Sequence, residues 1–307
     1  MNYFDLHCDT STELFCKRQN LRSSECHISE STISGFDKYG QVFAVFSDPK
    51  LSDDEAYSRF FSVADYFKDS NLISYVHSTK DLFLSNCRSC ILSVEDARIL
   101  GGDLTRLFPL YDSGVRLMTY LWSGLTCIGG SFDTDEGLTP FGKDVVRASI
   151  KLGMIPDISH ASLKSAKEII SIADTMSSPV IASHSNSYIV CPHPRNITDD
   201  IAKQIMDTGG VIGICLHSPH LGDSPDVNTI LKHIDHLISV TSDETICLGC
   251  DFDGTDQLPD GFSNQADILT IATAMRRAGY NENTVNKVFF DNAYNFFKIN
   301  LSKSERR

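Results

Sequence analysis

The chain has 307 residues, is 41% hydrophobic and 22% charged, and carries a formal net charge of −13. The composition is that of an ordinary globular protein, and the length suits one large α/β domain better than two small ones. The acidic balance disfavours nucleic acid and anionic membrane surfaces as partners, and no apolar run approaches the roughly 18 residues of a membrane span.

Taken in chain order, strand and helix patterns alternate. Tyr3–Asp9 reads as a buried strand ending in His7-x-Asp9. Residues two apart in a strand share a side, so an imidazole and a carboxylate project together from its end. Thr10–Cys16 turns into a short helix, and Gln41–Ser47 is a second apolar strand. Asp53–Phe67 is a helix with acids in its first turn, as the helix dipole favours. Cys90–Glu95 is strand three, Leu104–Asp112 a short helix and Gly114–Thr119 strand four. The Gly-rich, polar connection from Ser123 to Pro140 has the length of a functional loop. Phe141–Leu152 is helical, Met154–Ser159 is strand five, and Ser162–Thr175 is a helix with apolar spacing. Pro179–Ser183 is strand six, Thr198–Thr208 a helix closed by two glycines, and Val211–Cys215 strand seven. The next helix starts with Ser224 as N-cap and Pro225 in its first turn. Thr245–Asp251 is strand eight, and Ala266–Ala278 and Glu282–Phe290 are closing helices.

Eight apolar strands alternating with helices predict a single (β/α)8 TIM-type barrel over 1–300, with 301–307 as a disordered tail. No glycine-rich phosphate loop supports a doubly wound nucleotide-binding sheet instead. In a barrel, the C-terminal strand ends ring one mouth, where active sites sit. Strand one ends in His7 and Asp9, strand three in Glu95 and strand eight in Asp251; His160 follows strand five and His184 strand six. Three histidines and three carboxylates converging there fit a pair of metal ions bridged by a carboxylate, with nitrogen and oxygen ligands typical of zinc.

Ten cysteines raise the question of redox state. The first strand begins almost at Met1, which leaves no room for a signal peptide and predicts a cytoplasmic protein with reduced thiols. The Cys87/Cys90 and Cys247/Cys250 pairs sit in or beside strands, where residues three apart face opposite sides, so buried free thiols are expected rather than a zinc site. Asp251-x-Asp253-Gly254-x-Asp256 lacks the length and closing glutamate of a calcium loop and reads as a turn, with Asp253 as a candidate support for the site. His217 and His220 read as ordinary loop histidines, and His233 and His236 as solvated positions on a helix.

Several stretches together resemble the membrane dipeptidase (renal dipeptidase) family of zinc peptidases, within the amidohydrolase-like barrels. They include Asp5-Leu6-His7-Cys8-Asp9-Thr10, Ser93-Val94-Glu95, Asp157-Ile158-Ser159-His160 and Pro194-Arg195-Asn196-Ile197, and they continue to Gly249-Cys250-Asp251-Phe252-Asp253-Gly254. The resemblance implies that His7 and Asp9 bind one zinc, that His160 and His184 bind a second, and that Glu95 bridges both. It also implies that Arg195 binds the substrate's terminal carboxylate and that Asp251 is the catalytic aspartate. The implied reaction is hydrolysis of dipeptides, a C-terminal D-residue tolerated, by attack of a metal-bridging hydroxide. A homodimer is the assembly it suggests. Where renal-type members carry a histidine after strand four, this chain has Trp122, which cannot relay a proton; Trp122 and His193 are further candidates for substrate contact. A metal-dependent amidase or lactonase on the same barrel is the alternative, and a non-catalytic metal-binding protein the third reading.

Overall fold

The computed structural model describes residues 1–68, 72–83 and 88–304, with side chains as far as 301. Seven parallel strands form the sheet that positions the site: Tyr3–Cys8, Tyr39–Phe46, Arg88–Glu95, Val115–Thr119, Ile155–Asp157, Ile212–Ile214 and Ile246–Leu248. The sixth position of the ring is held by residues 181–182, which bridge Asp157 on one side and Ile212 on the other. Backbone bonds from Ile181 N–H to the Pro156 carbonyl (3.0 Å) and from Gly213 N–H to the Ala182 carbonyl (2.8 Å) close the ring there. The expected barrel is therefore present, with strand six reduced to two bridging residues. A two-residue strand, Ser74–Tyr75, flanks the start of Arg88–Glu95 before Val115–Thr119 takes over that edge.

Residues pointing into the ring, among them Phe4, Leu6, Val42, Ile91 and Leu117, cluster with Phe290, Phe296 and Phe297 near the C-terminus. Apolar burial thus plugs the N-terminal end of the barrel and leaves the other end for polar side chains. The terminal helix, Asn292–Ser304, runs into the stretch expected to be a tail; residues 305–307 lie outside the described residues, as does Cys87 of the first cysteine pair. Cys90, Cys247 and Cys250 are buried free thiols, as their strand positions predict.

Two local expectations are corrected. The helix Val227–Val240 is capped by Asp226, whose carboxylate accepts the Asn228 and Thr229 N–H groups, and not by Ser224, which takes a positive φ of 47° in the preceding turn. His233 is fully buried rather than solvated: it accepts the Ser187 N–H at Nδ1 (3.1 Å) and donates from Nε2 to the Leu221 carbonyl (3.0 Å). Among the described residues, no helix is long and apolar enough to cross a membrane.

Candidate metal centre and its cavity

Two buried aspartates shape the strand ends that carry the histidines. Asp5 lies two residues before His7, and its Oδ1 accepts the His7 N–H at 2.9 Å. This short side-chain turn coincides with a register shift between Asp5 and Cys8 in the pairing with the second strand. The bulge turns His7, which alternation from Phe4 and Leu6 would send outward, toward the mouth. Asp5 also accepts the Cys250 N–H (3.0 Å) and the Tyr3 hydroxyl (2.6 Å), tying the first strand to the segment that leads into Asp251. Asp157 repeats the device at the fifth strand. It accepts the Ser159 N–H (3.0 Å), the Ser183 N–H (2.9 Å) and the Thr119 and Ser183 hydroxyls (2.5 and 2.6 Å). His160 and Asp251 follow in left-handed backbone conformations, φ 68° and 61°, which cost energy in a non-glycine residue and are held by these contacts. Gly249 allows the close approach that places His184: a Cβ there would lie 1.8 Å from the Ser183 carbonyl oxygen.

The six residues read from the strand ends meet. His7 Nε2 lies 3.7 Å from Asp9 Oδ2, 3.6 Å from Glu95 Oε2 and 3.7 Å from Asp251 Oδ1. On its other side, Glu95 Oε1 lies 3.1 Å from His160 Nε2 and 3.7 Å from His184 Nε2. One carboxylate thus faces two nitrogen groups through its two oxygens. Three overlapping sets of three ligand atoms, His7/Asp9/Glu95, Glu95/His160/His184 and His7/His184/Asp251, each lie within 4.8 Å of one another.

Hydrogen bonding sets the tautomers of two of the three imidazoles. His160 Nδ1 donates to the Trp122 carbonyl (3.0 Å). His184 Nδ1 donates to Ser183 Oγ (2.7 Å), whose own hydrogen goes to Asp157. Each ring therefore keeps a lone pair on Nε2, and these two atoms stand 2.9 Å apart. Burial, followed by the Arg195 charge, pushes His160 down to about 4, and burial and His7 lower His184, so no proton settles between them at neutral pH. Two facing lone pairs beside a carboxylate oxygen fit a shared cation. His7 Nε2, Asp9 Oδ1 and Glu95 Oε2 are buried without a hydrogen-bond partner, which fits the same demand. Burial raises Glu95, but His7 and His160 outweigh it and hold the carboxyl below its ordinary range; burial, then Glu95, raises Asp9; burial lifts Asp251 to about 7. Burial also raises the Cys8 and Cys250 thiols, so both stay protonated and outside the donor set. The donors are imidazoles and carboxylates, a set suited to divalent transition ions.

A cavity of about 430 Å³ opens over the cluster. Arg195 and Trp122 both line it. Arg195 is buried, donates from Nη2 to the His184 carbonyl (3.3 Å), and stands over the Phe132 ring at 5.8 Å. Trp122 packs edge-on against Phe46 at 4.9 Å while facing the cavity. His193 is not among the lining residues. Its Nδ1 accepts the Arg195 N–H (3.2 Å) and its ring packs on His220, 4.6 Å between centroids, so it supports the wall from behind. His217 and His220, which the sequence left as ordinary loop residues, do line the cavity. Their position two to five residues past the seventh strand was the available signal. Asp253 joins the Thr10 hydroxyl (2.5 Å) to the His27 N–H (2.7 Å) and so holds the turn after Asp251. In that turn a Cβ on Gly254 would lie 2.2 Å from Asp251 Oδ1.

Comparison with known proteins follows the same lines. The family model for membrane dipeptidase, peptidase family M19, matches residues 1–306. A Klebsiella pneumoniae protein described only as lying in the pqqA 5′ region is 32% identical over 217 residues, 66% of this chain and 78% of that protein. Among solved structures, the dipeptidase AC, a metallopeptidase of family M19, superposes with a TM-score of 0.91 at 23% identity, covering 98% of this chain and 99% of that one. A Rhodobacter sphaeroides metallopeptidase, solved with a phosphinate mimic of the dipeptide L-Ala-D-Ala, gives 0.88 at 23% identity over 98% and 99%. At that identity the two structures speak to the fold.

Proposed function

Since the chain belongs to the membrane dipeptidase family of metallopeptidases, peptidase family M19, we propose that it is a dinuclear zinc dipeptidase acting on dipeptides with a free C-terminal carboxylate, a D-residue there included. The observation that carries this reading is Glu95 standing between His7 and the His160/His184 pair, with Arg195 across the same cavity. In this reading His7 and Asp9 would hold one zinc and His160 and His184 the other, with Glu95 as the carboxylate that would serve both. Bound there, the ions would supply Lewis acidity toward the scissile carbonyl and the attacking water.

The chain's own groups do the rest. Asp251 accepts a proton as the water's O–H bond breaks and its oxygen adds to the carbonyl carbon. The same carboxyl then delivers that proton to the leaving nitrogen as the C–N bond breaks. Arg195 spends one N–H on the His184 carbonyl and keeps the others for the substrate's carboxylate. His193 positions Arg195 rather than touching substrate. Trp122 contributes an apolar wall, while its carbonyl, which any residue would supply, orients His160. None of the nine described cysteines is in a disulfide, which supports a reducing, cytoplasmic setting.

The test is a substrate panel with zinc-supplemented protein: dipeptides, the same dipeptides amidated at the C-terminus, N-acyl amino acids and lactones. Turnover of free dipeptides and its loss on amidation is the expected result. Hydrolysis of lactones or N-acyl amino acids with dipeptides untouched would replace the dipeptidase reading with the amidase or lactonase one.

A further inference from the structure

Among the described residues, five carboxylates line the cavity over the cluster: Asp9, Glu13, Glu95, Asp251 and Asp253. Four of them are committed. Asp9, Glu95 and Asp251 stand within ligand distance of the histidines, and Asp253 gives its two oxygens to the Thr10 hydroxyl and the His27 N–H. Glu13 is the fifth. It lies in the first turn of the helix Thr10–Lys17, where its backbone N–H donates to the Asp9 carbonyl at 3.1 Å. Residues four apart in a helix share a face, so Glu13 stands one turn along from Asp9, and both reach the same cavity. Its cationic partner among the described residues is Lys17, Nζ to Oε1 at 2.9 Å. Both side chains of that pair are partly exposed, 34% for Glu13 and 43% for Lys17, and Lys17 does not line the cavity. An exposed pair of this kind holds its carboxylate weakly, which leaves Glu13 available to a second cation that enters the cavity.

We propose that Glu13 binds the ammonium group of the substrate's N-terminal residue, and so selects a free amino group as Arg195 selects a free carboxylate. The proposal rests on the dipeptidase reading of the same cavity. Arg195 is tied to the sixth strand end through the His184 carbonyl, and Glu13 follows the first strand. Round the ring, the eighth and seventh strands separate the first strand from residues 181–182. The two charges therefore come from nearly opposite sides of the mouth, with the His/Asp/Glu cluster between them. A dipeptide at neutral pH carries the matching pattern: a carboxylate at one end, an ammonium at the other and the scissile carbonyl between. Two extended residues span at most roughly 7 Å, so one cavity must meet both ends, and a volume of about 430 Å³ suits a molecule that small. One Cα separates the ammonium from the scissile carbonyl carbon, which places it beside the residues flanking the cluster. On the side away from Arg195 these are Asp9, Thr12, Glu13 and Phe46. Thr12 and Phe46 carry no charge, and Asp9 faces His7, so Glu13 is the carboxylate left to meet the ammonium. An N-acyl amino acid has no cation to offer there, so Glu13 would separate dipeptides from that class.

The experiment measures Ala-Ala turnover at pH 7 by zinc-loaded wild type, Glu13→Gln and Lys17→Met. Propionyl-Ala, the same skeleton without the amine, is added as a competitor of that turnover. Glu13→Gln should raise KM for Ala-Ala at least about fivefold with a smaller change in kcat, and should leave the inhibition constant of propionyl-Ala within about twofold of wild type. Lys17→Met removes the ion pair and keeps the carboxylate, so its KM for Ala-Ala should match or fall below the wild-type value. Both positions are partly exposed on a short helix, and zinc content with thermal unfolding checks that each variant is folded. A smaller rise in KM for Glu13→Gln, or propionyl-Ala weakened as much as Ala-Ala, overturns the proposal. So does a Lys17→Met enzyme that matches Glu13→Gln, which would reduce Glu13 to half of a helix-surface pair. Failure of the underlying reading looks different: the wild type itself would hydrolyse no free dipeptide.

Discussion

Ser183→Ala removes one hydroxyl and almost no volume, yet it breaks the side-chain relay from His184 to Asp157 while the backbone bonds between the sixth and fifth strand ends remain. In the wild type, Ser183 Oγ accepts from His184 Nδ1 at 2.7 Å and donates to Asp157 Oδ2 at 2.6 Å. Without it, the His184 Nδ1–H is a buried donor with no acceptor, which costs about 1–3 kcal/mol of stability in the metal-free protein. The ring is then free to take the other tautomer, which places the hydrogen on Nε2 and removes the lone pair a metal needs. Loss of such an outer contact typically weakens metal binding ~10–100-fold, or about 1.4–2.7 kcal/mol. The His7/Asp9 half of the centre does not touch Ser183, so only one of two zinc equivalents should weaken. Competition against a chelator of known affinity, read as a two-step titration, measures this directly, with thermal unfolding of the metal-free protein beside it. Two equivalents bound as tightly as in the wild type, or both weakened equally, would refute the tautomer argument.

Arg195→Met should raise KM for free dipeptides about 10–100-fold with a smaller change in kcat, since each charge-assisted bond contributes about 1.5–3 kcal/mol; steady-state kinetics on free and C-terminally amidated dipeptides should find the amidated series indifferent to the change. Asp251→Asn should lower kcat by about 10²–10⁴ while leaving zinc content near the wild-type value, checked by turnover and metal analysis on the same sample. His233 supplies a pH prediction away from the metals. Burial lowers its pKa, and both ring nitrogens are committed to Ser187 and Leu221. Below about 6.5 the unfolded chain therefore binds a proton that the folded chain refuses, and stability falls with acidification by up to ~1.4 kcal/mol per pH unit from this group. His233→Gln, which can keep both hydrogen bonds, should flatten that part of the stability profile in denaturant unfolding between pH 5 and 7. An unchanged slope would mean the buried ring is not the group responsible.

The strand-end rule picked out side chains that meet in one cluster because it depends on one property readable in a line of sequence: where an apolar run stops. His7, Glu95, His184 and Asp251 all sit at such stops, and the barrel brings the stops together. The rule was less informative about what holds them. Asp5 and Asp157 sit inside the resembling stretches, but their work depends on which strands become neighbours on closure: Cys250 beside Asp5, Ser183 beside Asp157. Nor could alternation alone foresee the bulge at Asp5–Cys8, which reverses the face that His7 takes. His233 was misplaced because its helix packs on the Ser187 and Leu221 loops as well as on the barrel, burying a face that a single apolar stripe leaves outside. Ser224 has the right residue type for a cap, but Asp226 is the one whose carboxylate reaches the first free N–H groups. His217 and His220 reach the cavity through the path of one loop, which residue type does not encode.

The central claim is that six side chains from five strand ends and their loops cage a pair of cations used for peptide hydrolysis. The most direct test is zinc stoichiometry per chain, measured together with Ala-Gly turnover before chelation, after it, and after zinc is returned. The account predicts close to two equivalents, activity lost with the metal and restored with it. Fewer than one equivalent in a protein that still hydrolyses the dipeptide would contradict it.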